Sequence, residues 1–196
     1  MDKTNEYNSN KVDKIRKIST RELVITGMFT AIICVMAQIT IPTQPIPFTL
    51  SLFAIFLTGA LLPPKFSFLA ALTYLLLGAF GVPVYNGMKS GIGHLTGMTG
   101  GYLMAYPLMS LITALCYKHI KKYKIFALGL GMLLSLITCY LIGTLWFSFV
   151  SDNTFFHSLT LCVFPFVFLD LIKIALAISI SIVIRKTLMN QLTHLS

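Results

Sequence analysis

The sequence predicts an all-α integral membrane protein built as a single bundle of six spans, and three observations carry that prediction. Of its 196 residues 56% are apolar and only 11% charged, with a mean hydropathy of +0.83, whereas a soluble domain carries about a quarter of its residues charged. Long runs without charge recur at roughly the length a bilayer demands, about 20 residues per helix. The net charge of +9 is arranged in alternate connections. This pattern fits membrane orientation and excludes a nucleic-acid surface, which needs its cations on one solvated face.

Charge gaps together with Pro and Gly punctuation place the spans at 22–40, 48–62, 66–84, 99–117, 125–150 and 165–184. With the N-terminus cytoplasmic, thirteen of the fifteen basic residues fall inside, one (Lys89) falls outside, and Lys173 lies within a span. Six crossings with both termini cytoplasmic satisfy the positive-inside rule, and one span more or fewer breaks it. Residues 1–21 read as a basic cytoplasmic tail without ordered structure, residues 22–186 as the membrane domain, and 187–196 as a second cytoplasmic tail. No small-residue cleavage site precedes the first span, so an uncleaved N-terminus is expected. Cys34, Cys116, Cys139 and Cys162 stand singly in apolar runs and read as small buried hydrophobes rather than metal ligands or disulfide partners.

In the first span, Gly27 and Ala31 are small residues one turn apart on one face, a spacing that suits close packing against another helix of this chain or of a partner. The next span covers only 15 residues, about 22 Å of helix, and is too short to cross alone. It is preceded by Ile41-Pro42-Thr43-Gln44-Pro45-Ile46-Pro47, whose prolines remove backbone donors and forbid a regular helix. Irregular backbone at membrane depth survives where protein covers it or where it lines a cavity, so a loop folded over an outer pocket is expected, with Gln44 offering an amide to a ligand. The alternative is a plain proline-rich turn.

The stretch GAFGVPVYNGMKSGIGHLTGMTGG, residues 78–101, holds eight of the thirteen glycines and lets backbone approach a ligand or another backbone closely. It contains no phosphate-binding GxxxxGK[ST] pattern. Tyr85, Asn86 and Lys89 are its side chains able to stack on, hydrogen-bond to or pair with a small polar molecule. His94 lacks a second ligand at helical spacing and reads as a loop residue. The fifth run exceeds the bilayer and implies tilt or an outward extension.

In the sixth span, Asp170 and Lys173 are the only charges between Asp152 and Arg185. At spacing i, i+3 they share a helix face and can pair toward the bundle interior. A purely structural pair is the plainer reading, though burying both ions is costly. A carboxylate beside an ammonium also suits a cyclic urea, which presents two N–H donors and one carbonyl acceptor.

IPTQPIPFTL at 41–50, LLGAFGVPVYNG at 76–87, GMTGGYLMAY at 97–106 and DLIK at 170–173 together resemble BioY, the biotin-specific S components of energy-coupling-factor transporters. The resemblance spans residues 21–184. It departs at Met98, where that family commonly has proline, and at Phe168-Leu169, where it commonly has Pro-Gly, so local helix entrances are expected to differ. What it implies is a six-helix S-component fold in a bacterial cell membrane that binds biotin outside and works with a transmembrane coupling subunit and two ABC-type ATPases. On that resemblance Asn86, Asp170 and Lys173 are polar pocket residues. Phe48, Tyr85 and Tyr102 flank the ligand rings, Gly100 and Gly101 belong to the same site, Lys89 or Lys173 meets the carboxylate, and Gly27 and Ala31 dock the coupling subunit. It implies no cofactor, no metal and no catalysis. Two other readings stay open, an S component for another vitamin such as riboflavin or thiamine, and a small membrane interaction protein that transports nothing.

Overall fold

A computed structural model describes residues 19–43, 46–120 and 123–193, with the side chains of 188–193 left out of the description. Helix α1 spans Thr20–Gln38. It starts two residues before the first predicted span because the Glu22 carboxylate accepts the Ser19 amide at 3.0 Å, an N-terminal cap of the kind that satisfies free helix donors. At its other end the chain turns into a short antiparallel ribbon. Strand β1 (Thr40–Ile41) pairs with β2 (Phe48–Thr49), Thr40 opposite Thr49 and Ile41 opposite Phe48.

Helix α2 (Ser51–Leu61) is therefore shorter than the 15 residues expected, because Phe48 and Thr49 join the ribbon instead. The Pro63-Pro64 step separates it from α3 (Pro64–Ala79), where Pro64 takes a first-turn position that needs no amide donor. α3 stops five residues short of Val84. Gly81 leaves the helix at φ 99°, and a connecting segment with a 3-10 turn at Asn86–Met88 and a short helix α4 (Ile92–Thr96) follows.

Helix α5 (Gly100–His119) and the 28-residue α6 (Lys124–Ser151) pack side by side. α7 (Phe155–Cys162) is an extra helix in what the sequence presents as a loop. α8 (Phe164–Thr193) begins one residue before the predicted sixth span and runs nine residues past it, through positions expected to be tail. The first eighteen residues lie outside the described ones.

Among the described residues four helices, α1, α5, α6 and α8, are long and apolar enough to cross a membrane, and α2 and α3 are shorter apolar helices. α2 is wrapped by α1, α3, α5 and α8, and its residues Ala54, Ile55 and Phe56 are wholly buried at the centre of the main core. Exposed Leu, Ile, Val and Phe side chains cover the outer faces of α1, α6 and α8, as expected where lipid is the solvent.

Candidate functional site

The site begins with the cost of Asp170 and Lys173, which are 4% and 5% exposed near the start of α8. Lys173 Nζ lies 2.8 Å from Asp170 Oδ1, so the predicted pair forms and faces inward. Each ion also has a second partner. The Tyr140 hydroxyl of α6 donates to Asp170 Oδ2 at 2.6 Å, and Lys173 Nζ donates to the Thr49 carbonyl of β2 at 2.8 Å. The ammonium sits 3.7 Å from the centroid of the Phe48 ring, and Phe48 in turn stacks on Phe166 at 6.3 Å. Charge-assisted hydrogen bonds and a cation–π contact of this kind offset part of the desolvation penalty that an apolar span imposes.

This cluster forms one wall of a cavity of about 430 Å³ bounded also by Ile46, Pro47, Tyr102, Tyr106 and Cys162. A second compartment of about 340 Å³ shares Ile46, Pro47, Thr49, Tyr102 and Tyr106 with the first and adds Tyr74 and Asn86. Pro47 and Asn86 also border an open crevice with Lys89, His94 and Met98, so three spaces run together from the ion pair outward. Such a lining, mostly aromatic with a few fixed polar groups, suits a small organic ligand.

A hydroxyl chain braces the shared wall. The Thr49 and Ser51 hydroxyls lie 2.6 Å apart and the Ser51 and Tyr106 hydroxyls 2.7 Å apart. Tyr102 OH lies 3.3 Å from Thr144 Oγ1, and its ring occupies the space where a Cβ at Gly143 would stand. Tyr74 also lines the second compartment, and its buried hydroxyl has no hydrogen-bond partner among the described residues. A buried orphan hydroxyl is costly unless a ligand or water meets it.

The structure thus brings Asp170, Lys173, Phe48 and Tyr102 to one cavity, and sets Asn86 in the adjoining compartment rather than against the ion pair. Asn86 is held by its carbonyl oxygen, 3.2 Å from His94 Nε2. Lys89 is exposed on the outer crevice. Tyr85 borders none of these three spaces. It is wholly buried, its hydroxyl donates to the Leu75 carbonyl at 2.6 Å, and its ring lies on Gly78, because a tyrosine under a glycine-rich turn fills the room that the missing side chains leave. Gly100 and Gly101 are likewise packing positions, where added Cβ atoms would overlap the Leu95 backbone and Trp146. Gln44 lies outside the described residues. Gly27 and Ala31 are both exposed on α1, and a Cβ at Gly27 would meet nothing within 4 Å, so the pair does not serve packing inside this chain.

Sequence reasoning missed Tyr140, Tyr106, Tyr74, Ser51 and the Thr49 carbonyl. Gln38 escaped it as well. Its amide nitrogen donates to the Val84 and Tyr85 carbonyls at 3.0 and 3.1 Å, and its oxygen accepts the Met88 amide at 2.9 Å, fastening the turn that carries Asn86 to the end of α1.

The chain is 37% identical over 165 residues to a probable biotin transporter BioY of Pyrococcus horikoshii, covering 84% of this chain and 96% of that one. It is 35% identical over 170 residues to the biotin transporter BioY of Thermotoga maritima, covering 85% and 96%. Among solved structures it matches the S component for biotin from an ECF-type ABC transporter with a TM-score of 0.77 and 27% identity, over 86% of this chain and 95% of the other. These relatives and the apolar helices make it a multi-pass membrane protein. The family model for BioY matches residues 8–190, and the chain belongs to the BioY family.

Proposed function

We propose that this chain is the biotin-binding subunit of an energy-coupled uptake transporter, capturing the vitamin on the outer side of the membrane. The observation that carries the proposal is the buried Asp170–Lys173 pair in the wall of an aromatic cavity. Biotin's ureido ring is a donor–acceptor group of the kind this site can read, with Asp170 accepting and a tyrosine hydroxyl donating. Its apolar bicycle fits among Phe48, Tyr102 and Phe166. The orphan Tyr74 hydroxyl and Asn86 offer further polar contacts in the second compartment. All three donors of Lys173 point to Asp170, the Thr49 carbonyl and the Phe48 face, which favours the exposed Lys89 for the carboxylate tail.

On this reading α2 and α3 also cross, as short spans, which makes six crossings with both termini cytoplasmic, and the β1–β2 ribbon with its prolines lies over the pocket from outside. The task is binding, with ATP hydrolysis left to two partner ATPases. The exposed Gly27–Ala31 face of α1 supports docking of a transmembrane coupling subunit there.

Calorimetry on the detergent-purified chain tests the site. Asp170→Asn is expected to weaken biotin by more than about tenfold, about 1.4 kcal/mol, while membrane insertion persists; unchanged affinity removes Asp170 from the site. Mass spectrometry of the retained ligand separates the alternatives. Riboflavin or thiamine in place of biotin reassigns the substrate, and a pocket empty in every preparation favours an interaction protein.

A further inference from the structure

At the opposite end of the bundle a second cavity, of about 650 Å³, lies between the α5–α6 connection and the end of α8. Lys124, Arg185 and Lys186 line it beside Ile125, Leu128 and Ile182, and no acid does. Tyr117 forms its floor, with Lys124 Nζ 4.4 Å and the Arg185 guanidinium 4.0 Å from the centroid of that one ring. Both cations are half-buried. Their hydrogen-bond partners are neutral: Lys124 donates to the Tyr117 carbonyl at 2.9 Å, and Arg185 Nε and Nη2 both donate to the Ala60 carbonyl. Neither has an acidic partner among the described residues.

Two like charges held over one ring, with no counter-ion among the described residues, leave a strong local field. The start of α6 adds to it, since Lys124 is the first residue of a 28-residue helix whose first turn is capped by no side chain, and free helix amides attract anions. The remaining lining is aliphatic, and neighbouring Ile125 and Phe126 are each 63% exposed on the lipid side. A free phosphate satisfies only the cations. A phosphodiester carrying acyl chains satisfies both halves of the lining.

We infer that this cavity binds the headgroup of an anionic phospholipid from the leaflet at the cation-rich end, with the phosphate among Lys124, Arg185 and Lys186 and an acyl chain along Ile125 and Ile182. The inference stands whichever ligand fills the outer cavity. It places a lipid site about 18 Å along α8 from Lys173, at 1.5 Å per residue.

The test uses the full chain in neutral detergent, titrated with phosphatidylglycerol or phosphatidylcholine and read by native mass spectrometry, with biotin affinity measured on the same samples. Wild type is expected to retain phosphatidylglycerol selectively. The double variant Lys124→Gln/Lys186→Gln is expected to lower that retention roughly tenfold or more, and the charge-keeping Lys124→Arg/Lys186→Arg to preserve it even if the glutamine variant proves unstable. Lys118→Gln, which removes one charge outside the cavity, is expected to change retention less than about twofold. Biotin affinity is expected to stay at the wild-type value throughout. Equal retention of phosphatidylcholine overturns the inference, as does an equal loss in Lys118→Gln. Displacement by millimolar inorganic phosphate reassigns the cavity to a free anion. A defect confined to assembly with the ATPase module, lipid retention being intact, reassigns it to a protein partner.

Discussion

Lys173 and Arg185 stand twelve residues apart on the same helix, and α8 treats them in opposite ways. Lys173 is neutralised by Asp170 and seated on the Phe48 ring, whereas Arg185 donates to a helix-end carbonyl and rests on Tyr117 with no acidic partner among the described residues. The difference follows from where each sits. Deep in an apolar bundle a cation without a carboxylate is prohibitive, while near the membrane boundary, water and lipid headgroups supply the counter-charge. On the proposed reading a charge fixed inside the bundle serves the ligand site, and a charge at the rim stays open to partners.

The largest test of that contrast is Lys173→Met, which strands Asp170 as a lone buried anion. It is expected to cost about 3–5 kcal/mol of stability and to abolish biotin binding in calorimetry. The double variant Asp170→Leu/Lys173→Met is expected to regain most of that stability in thermal unfolding without regaining ligand. Recovery of binding in the double variant would show that the pair is only structural. Next in size, Gly143→Ala pushes a methyl into the Tyr102 ring and is expected to cost about 1–3 kcal/mol and to weaken biotin, since Tyr102 must leave the cavity wall. Tyr140→Phe deletes one hydrogen bond to Asp170. It is expected to lower stability by about 1.5–3 kcal/mol and to weaken biotin as Asp170 loses its anchor, and an unaltered affinity would take Tyr140 out of the network.

At the other end, Arg185→Gln is expected to lower stability by about 1 kcal/mol and to leave biotin affinity untouched, which separates rim from site. The smallest effect concerns pH. Burial, and then the Lys89 charge, hold His94 below its ordinary value of 6.5, so the folded loop prefers the neutral ring. Its stability is full above pH 6.5 and declines as pH falls below that value, because the unfolded chain then binds the proton more readily. Hydrogen-exchange protection over residues 85–97, taken relative to the intrinsic rate at each pH, is expected to be lower at pH 5.5 than at 7.5 in wild type and to change less in His94→Gln.

Charges in apolar runs were the most legible part of the molecule. Asp170, Lys173 and the approximate course of the helices follow from hydropathy alone, because a charge in hydrocarbon is so costly that its presence already states a reason. Hydroxyls carry no such signal. Tyr140, Tyr106 and Ser51 sit in runs whose composition matches lipid-facing helix, and only the fold turns them inward. Tyr85 misled in the opposite direction, since a polar aromatic among glycines looks exposed until the turn closes over it. Helix α7 was hidden because 155–162 is too short to read as a span, and the ribbon because its two-residue strands leave no periodicity.

Gln38 sits at the last residue of α1, and both its amide nitrogen and its amide oxygen reach into the 84–88 turn, the nitrogen also meeting the Cys34 carbonyl at 3.3 Å. A hydrogen bond tolerates only a few tenths of an ångström of stretch. A shift of that helix end therefore either drags the neighbouring asparagine along or snaps three contacts at once, so the two segments behave as a single mechanical part.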